Sequence, residues 1–200
     1  MKSLYAAIVL AGGLSTRMMD FKPLLPLGDE TITDHVIAIF LKNKVDVFLV
    51  AGYCHEDLAA GIKNRNITIV FNPDYEKGMF SSIQAGVRRL PPGYQAFFIL
   101  PVDIPLVRPE TIRQLLNTAA ENPNRIIYPV FEGKRGHPPR IPVALSPDIL
   151  GWKKGGGLKA VLKSHEKMAL EVPVTDSNIL FDIDTPEDYK ELLERFKGLR

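Results

Sequence analysis

Cysteine is nearly missing from this chain: among 200 residues only Cys54 carries a thiol. An intrachain disulfide and a cysteine-rich zinc site are therefore excluded. His55 stands beside it, but two adjacent side chains at a strand end rarely share a ligand, and both read as structural residues. Also absent is any apolar run of the ~18 residues that a membrane span requires. Residues 5–14 are apolar but short, follow no basic region beyond Lys2, and meet Ser15 and Arg17 at once. They read as a core strand rather than a signal peptide, and the expected compartment is the cytoplasm. A strong charge of either sign is missing too, because 25 Lys and Arg against 23 Asp and Glu leave only +2. With the cations dispersed, neither nucleic acid nor a membrane is expected as partner, and small molecules are.

What remains is an ordinary globular composition, 46% hydrophobic and 24% charged, long enough to bury a core without staples. No repeat, low-complexity tract or long linker divides it. A single domain over residues 1–200 is expected, in two halves, 1–122 and 123–200.

Short apolar β-rich runs over residues 5–10, 45–50, 67–71 and 96–100 alternate with helical spacing over 33–42, 56–62, 81–90 and 108–120. The order βαβαβαβα, with strands apolar on both faces, predicts an α/β fold with a Rossmann-like, doubly wound, mostly parallel sheet. After Pro123 the pattern loosens. Residues 126–130 and 141–145 read as strands flanking the polar FEGKRGHPPR, an antiparallel hairpin or inserted arm. Residues 151–157 read as a loop, 158–164 as a short helix and 169–172 as a strand. His35 and His165 read as ordinary helix residues. An extended FDID then precedes a terminal helix, with Thr185 as N-cap, Pro186 at the first helical position and Asp188 at the third.

Ligands of open α/β sheets sit at the carboxyl edge of the strands, and the chemistry-bearing residues fall just past strand ends. In AIVLAGGLSTRMMDFKPLLPLG, Gly12 and Gly13 let the backbone approach a ligand and turn N–H groups toward an anion. Arg17 and Lys22 add positive charge suited to a polyphosphate. The stretch matches neither the P-loop nor the dinucleotide pattern. Asp103, in ILPVDIPLV, reads as a turn cap or a metal ligand, and Asp184 with Asp182 two residues earlier reads the same way. Two such carboxylates with phosphate oxygens would form the hard oxygen shell that Mg²⁺ prefers. His137 in KRGHPP has a restricted backbone and reads either as a turn histidine or as a contact to an anionic second substrate.

LAGGLSTRMMDFKPLLPLG resembles the signature of nucleotidyltransferases that activate small phosphorylated molecules with a nucleoside triphosphate. With NPDYEKGMFSSIQAG, PVDIPLV, GKRGHPPRIP, GGGLKAVL and FDIDTPEDY in order, nearly the whole chain resembles the molybdenum cofactor cytidylyltransferase branch of the MobA-like NTP transferase family. The resemblance implies transfer of CMP from CTP to the phosphate of molybdopterin, with release of pyrophosphate. It implies that Leu10, Ala11, Gly12, Gly13, Leu14 and Ser15 hold the nucleotide, with Ser82 nearby. Arg17 and Lys22 would act on the phosphates, and Asp103 and Asp184, or Asp182 in the latter's place, would hold Mg²⁺. Gly136, His137 and Pro138 would face the acceptor, with the glycine loop at 155–157 as a lid, so that 1–122 would be the nucleotide-binding half and 123–200 the acceptor-binding and closing half. A molybdoenzyme or its maturation factor is the implied protein partner. The chain departs from that branch at Met19, where Gly is common, and at Lys159, where Arg is usual. Its Gly12-Gly13 pair stands where cytidylyl-transferring relatives tend to read Ala-Ala-Gly, and matches the guanylyl branch instead. GTP in place of CTP, another phosphorylated acceptor, or a nucleotide-binding accessory role are the alternatives.

Overall fold

The computed structural model describes residues 3–12, 21–64 and 66–198. Chain order runs β1 (Tyr5–Ala11), β2 (Pro26–Leu27), β3 (Glu30–Thr31), α1 (Ile32–Leu41), β4 (Asp46–Ala51), α2 (His55–Gly61), β5 (Thr68–Phe71), α3 (Met79–Arg89), β6 (Ala96–Pro101) and α4 (Pro109–Glu121). It continues with β7 (Ile126–Phe131), β8 (Lys134–Arg135), β9 (Arg140–Pro142), α5 (Ser146–Gly151), α6 (Gly157–Ser164), β10 (Ala169–Pro173) and α7 (Pro186–Lys197). The main sheet has the order β10-β7-β9-β6-β1-β4-β5, with β8 paired on β7. All neighbours on that path are parallel except at β9, which runs antiparallel to both β6 and β7.

The central strands are apolar on both faces because both are covered. Along β1, Ala7, Val9 and Ala11 enter one core with α1, α2, α4 and α7, while Ala6, Ile8 and Leu10 enter the other with α3, α5 and α6. This is the doubly wound sandwich that the alternation of strands and helices predicts. Helix α3 lies so close that a Cβ on Gly86 would stand 2.4 Å from Ile8 Cγ2. Thr31 and Asp34 form a capping box on α1, and Thr185 and Asp188 form the expected one on α7.

Five local expectations change. The strand expected over 141–145 is β9, which ends at Pro142; Val143–Leu145 is a 3-10 turn. Rather than an arm, β9 is an interior strand antiparallel to both β6 and β7, and within this segment β7 and β8 form the expected small hairpin. The loop expected from residue 151 is preceded by a helix, since Ser146–Gly151 winds with Pro147 in its first turn. FDID pairs with no strand among the described residues; Ile183 N–H donates to the Asp103 carbonyl at 2.9 Å. His165 lies at the end of α6, not within it, and its Nε2 stands 2.9 Å from Asp148 Oδ2.

The first residue of β9 is Arg140, fully buried. Its Nη1 donates to the carbonyls of Pro123 at 2.7 Å and Arg125 at 3.0 Å, beyond the end of α4. Burial pulls its pKa below the usual guanidinium range.

Candidate active site

The carboxyl edge of the sheet assembles from three directions. On the side of β4 and β5 the surfaces are almost pure backbone. Gly12 follows the end of β1, and a Cβ there would meet Ser82 Oγ at 3.1 Å and Gly52 N at 3.5 Å. Gly52, just past β4, is tighter still: a Cβ would stand 2.6 Å from Tyr75 Cβ and 3.0 Å from the Gly12 carbonyl. Beside them Asn72, buried, continues β5 by donating its N–H to the Ala51 carbonyl at 2.8 Å. Its side-chain nitrogen donates to Ser81 Oγ at 2.9 Å and Ser82 Oγ at 3.0 Å.

Near β6 the edge is charged. Lys22 is only 8% exposed, although lysine is seldom buried without partners. Its ammonium donates to the Ile183 carbonyl and lies 3.3 Å from Asp184 Oδ1. Asp103 stands two residues past β6, and burial pushes its carboxyl up to about 6; Lys22 pulls it down, and Asp184 and Asp182 add to the rise. Asp184 is set in turn by the cap of α7, where Asp188 Oδ2 accepts the N–H groups of Asp184 at 2.9 Å and Thr185 at 2.7 Å. Leu10 pairs with Pro101, so Gly12 and Asp103 each sit two residues beyond matched positions on adjacent strands.

The third direction is a cavity of about 910 Å³ between β6, β7, α3 and α6. Met79, Phe80, Ile83, Ile99, Tyr128 and Leu158 make its wall mostly apolar, and Lys159, Lys163 and Arg135 bring cations to it. Gly136 and His137 line it, but the proline that does so is Pro139, not Pro138. Reversal of β9 makes this placement necessary: an antiparallel strand starts at the edge where its neighbours end. Gly136 has no room for a side chain, since a Cβ would be 2.6 Å from the Ile179 carbonyl, and His137 N–H donates to that carbonyl at 2.9 Å. Burial lowers the His137 pKa, so the imidazole is held neutral, and its Nδ1 has no hydrogen-bond partner among the described residues. Arg135 stacks 4.5 Å over the Tyr128 ring and is gripped by Glu166 at 2.6 Å and Glu171 at 2.7 Å.

Of the residues singled out by sequence, Leu10, Ala11, Gly12 and Ser82 gather in the backbone-lined group, and Lys22, Asp103 and Asp184 in the charged one. Gly13, Leu14, Ser15 and Arg17 lie outside the described residues, as does Met19. Gly156 and Gly157 of the expected lid border the cavity. Sequence reasoning passed over Asn72 and Gly52. Asn72-Pro73 looks like a turn, and Gly52 like the end of a strand; a polar residue directly after an apolar strand was the one available signal.

The carboxylates suit a hard divalent cation. Asp103 is a half-buried acid crowded by two others, a charge that a metal would relieve. Among the described residues no group of three or more His, Cys, Asp or Glu is arranged to hold a metal by protein alone. Substrate oxygens and water would complete the shell, which is how Mg²⁺ is usually held at phosphate sites.

A sheet edge so built belongs to an enzyme of the nucleotidyltransferase class. The chain belongs to the MobA-like NTP transferase family, whose domain model matches residues 7–168. It is 29% identical over 192 residues to the molybdenum cofactor cytidylyltransferase of Escherichia coli, covering 94% of this chain and 95% of that protein. Among solved structures, the homologue of Mycobacterium tuberculosis Rv0371c from Mycobacterium sp. strain JC1 superposes with a TM-score of 0.87 at 22% identity, covering all of both chains. Rv0371c of Mycobacterium tuberculosis in complex with manganese gives 0.76 at 21%, covering 97% of this chain and all of that one.

Proposed function

We propose that the protein transfers CMP from CTP to the terminal phosphate of molybdopterin, releasing pyrophosphate. The observation that carries the reading is that the backbone-lined group, the Lys22–Asp184 pair with Asp103, and the apolar cavity meet around the end of β6. Similarity along nearly the whole length of the E. coli cytidylyltransferase supports the choice of base and acceptor.

In this reading an oxygen of the acceptor phosphate attacks the α-phosphorus of CTP. A new P–O bond forms, the α–β anhydride bond breaks, and pyrophosphate carries off the electron pair. The protein's task is to align two repelling anions and neutralise their charge. The Leu10–Ser15 backbone and Ser82 hold the nucleoside, and Lys22 with Arg17 accompanies the β- and γ-phosphates. Asp103 and Asp184 would hold Mg²⁺, which when bound supplies positive charge to the polyphosphate. The cavity admits the flat pterin body of the acceptor, whose ring face can lie against the apolar wall, and the rim cations draw its phosphate. Gly136 and His137 face that body, with the neutral imidazole offering a hydrogen bond rather than a charge.

Purified protein incubated with Mg²⁺, molybdopterin and either labelled CTP or labelled GTP tests this directly. Incorporation from CTP with equimolar pyrophosphate is expected. Incorporation from GTP alone would replace the reading with a guanylyl transfer, the second reading that the Gly12-Gly13 pair favours.

A further inference from the structure

We infer that Asn72 is a positioning residue that fixes Ser82 as a hydrogen-bond donor to the nucleoside half of the substrate. The inference rests on the proposed placement of the nucleotide between Gly12 and Ser82, and goes beyond it by naming what orients the contact.

Asn72 has no orientational freedom left. Its N–H is committed to Ala51 at 2.8 Å, its side-chain oxygen accepts from Asp74 N–H at 3.0 Å, and its amide nitrogen donates to both serines. That oxygen bond settles the amide's orientation, because only the NH₂ end can then face the hydroxyls. Ser81 Oγ lies 2.8 Å from the carbonyls of both Asp74 and Gly78, so its one proton is shared between them inside the turn. Ser82 differs. One lone pair is taken by Asn72 at 3.0 Å, and no acceptor among the described residues takes its proton. A hydroxyl that accepts on one lone pair can rotate its O–H toward a further acceptor. Gly12 stands beside it, 3.1 Å from Ser82 Oγ at its notional Cβ, leaving by its lack of a side chain the room a ligand atom needs.

Charge selects which part of the substrate that atom belongs to. The group of Gly12, Gly52, Asn72 and Ser82 is neutral, whereas the cation and carboxylates lie beside β6. A neutral donor held by a neutral amide suits a carbonyl or ribose oxygen of the nucleoside. The polyphosphate belongs with Lys22.

Affinities of CTP and of inorganic pyrophosphate, each with Mg²⁺, measured by calorimetry on the wild type, Ser82→Ala, Asn72→Ala, Asn72→Asp and the Ser82→Ala/Asn72→Ala double variant, test the inference. Loss of one neutral hydrogen bond corresponds to about a three- to tenfold weakening. That loss is expected for CTP in Ser82→Ala and in Asn72→Ala, and the double variant should lose no more than either. Pyrophosphate affinity should not move in any of them. In turnover, KM for CTP should rise while kcat stays near the wild-type value. Asn72→Asp keeps the shape but takes the Ser82 proton instead of donating, so it should lose more than Ser82→Ala. Multiplicative losses in the double variant, or pyrophosphate weakening in step with CTP, would overturn the positioning role and leave Asn72 as a turn residue. A normal CTP affinity in the Asn72 variants with a loss in Ser82→Ala would sink the inference while sparing the proposed function. CTP binding untouched by Ser82→Ala would instead remove Ser82 from the nucleotide site.

Discussion

At Asp103 two demands oppose each other: folding penalises a half-buried carboxylate, and the proposed metal site requires one. Its value in the folded chain, about 6, lies above the ordinary 3.8. The folded state therefore holds its proton more tightly than the unfolded one, so stability falls as pH rises from 3.8 through about 6 and the full penalty stands above that range. The gap is worth on the order of 2 to 3 kcal/mol. Without metal, Asp103→Asn should melt higher than the wild type at pH 8, and the difference should vanish by about pH 4. Melting curves in EDTA across that range read it, and the same variant should lose orders of magnitude in nucleotidyl transfer. Residue identity was legible here: a lone acid at the end of a greasy strand stood out in ILPVDIPLV. Its company with Asp184 was implied by the family resemblance, but its coupling to Lys22 was not legible, because Lys22 stands far earlier in the chain, before α1.

Elements carry the site by their ends and by how closely they pack. The α7 cap shows the first. Thr185 and Asp188 bond reciprocally, and Asp188 also takes the N–H of Asp184. Thr185→Ala should cost about 1 kcal/mol by loss of the cap. Asp188→Ala should in addition weaken Mn²⁺ binding measured by electron paramagnetic resonance, because Asp184 loses its anchor. Helix α3 shows the second, and its Gly86 is the test. Gly86→Ala would press into Ile8 and Val50, costing about 1–3 kcal/mol by overpacking and raising KM for CTP as Ser82 moves off Gly12. Much of this level could be read from the sequence, since the alternation of apolar strands and periodic helices gave the winding and the Thr-Pro-x-Asp pattern gave the cap. What escaped depended on neighbours. Val143–Leu145 has strand composition but turns into α5, whose Ser-Pro-Asp start was passed over in favour of the glycines that follow. FDID has the alternation of a strand and finds no partner to pair with among the described residues.

For the molecule as a whole, the proposed reading sets two recognition tasks along one sheet edge, with the metal between them. Because no metal cluster is built into the cores among the described residues, EDTA should abolish transfer while leaving far-ultraviolet circular dichroism unchanged. The cavity should be independently tunable. Lys159→Glu reverses a charge at its wall and should raise KM for the acceptor at least several-fold without changing that for CTP, measured by varying each substrate at saturating levels of the other. No helix among the described residues is long and apolar enough to cross a membrane.

The reversed strand between β6 and β7 also dictates an order of assembly. As the chain leaves the ribosome, β1, β4, β5 and β6 can pair with one another, but the far edge of β6 has no partner until residue 142 has emerged. Until then Ala96, Phe97 and Phe98 present an open, wholly apolar ladder, the kind of edge that recruits another chain. Buried Arg140 then ties the arriving strand to the segment just past α4. A nascent chain stopped short of it should therefore be captured by chaperones or pair with its own copies, although every residue assigned to the nucleoside has already been made.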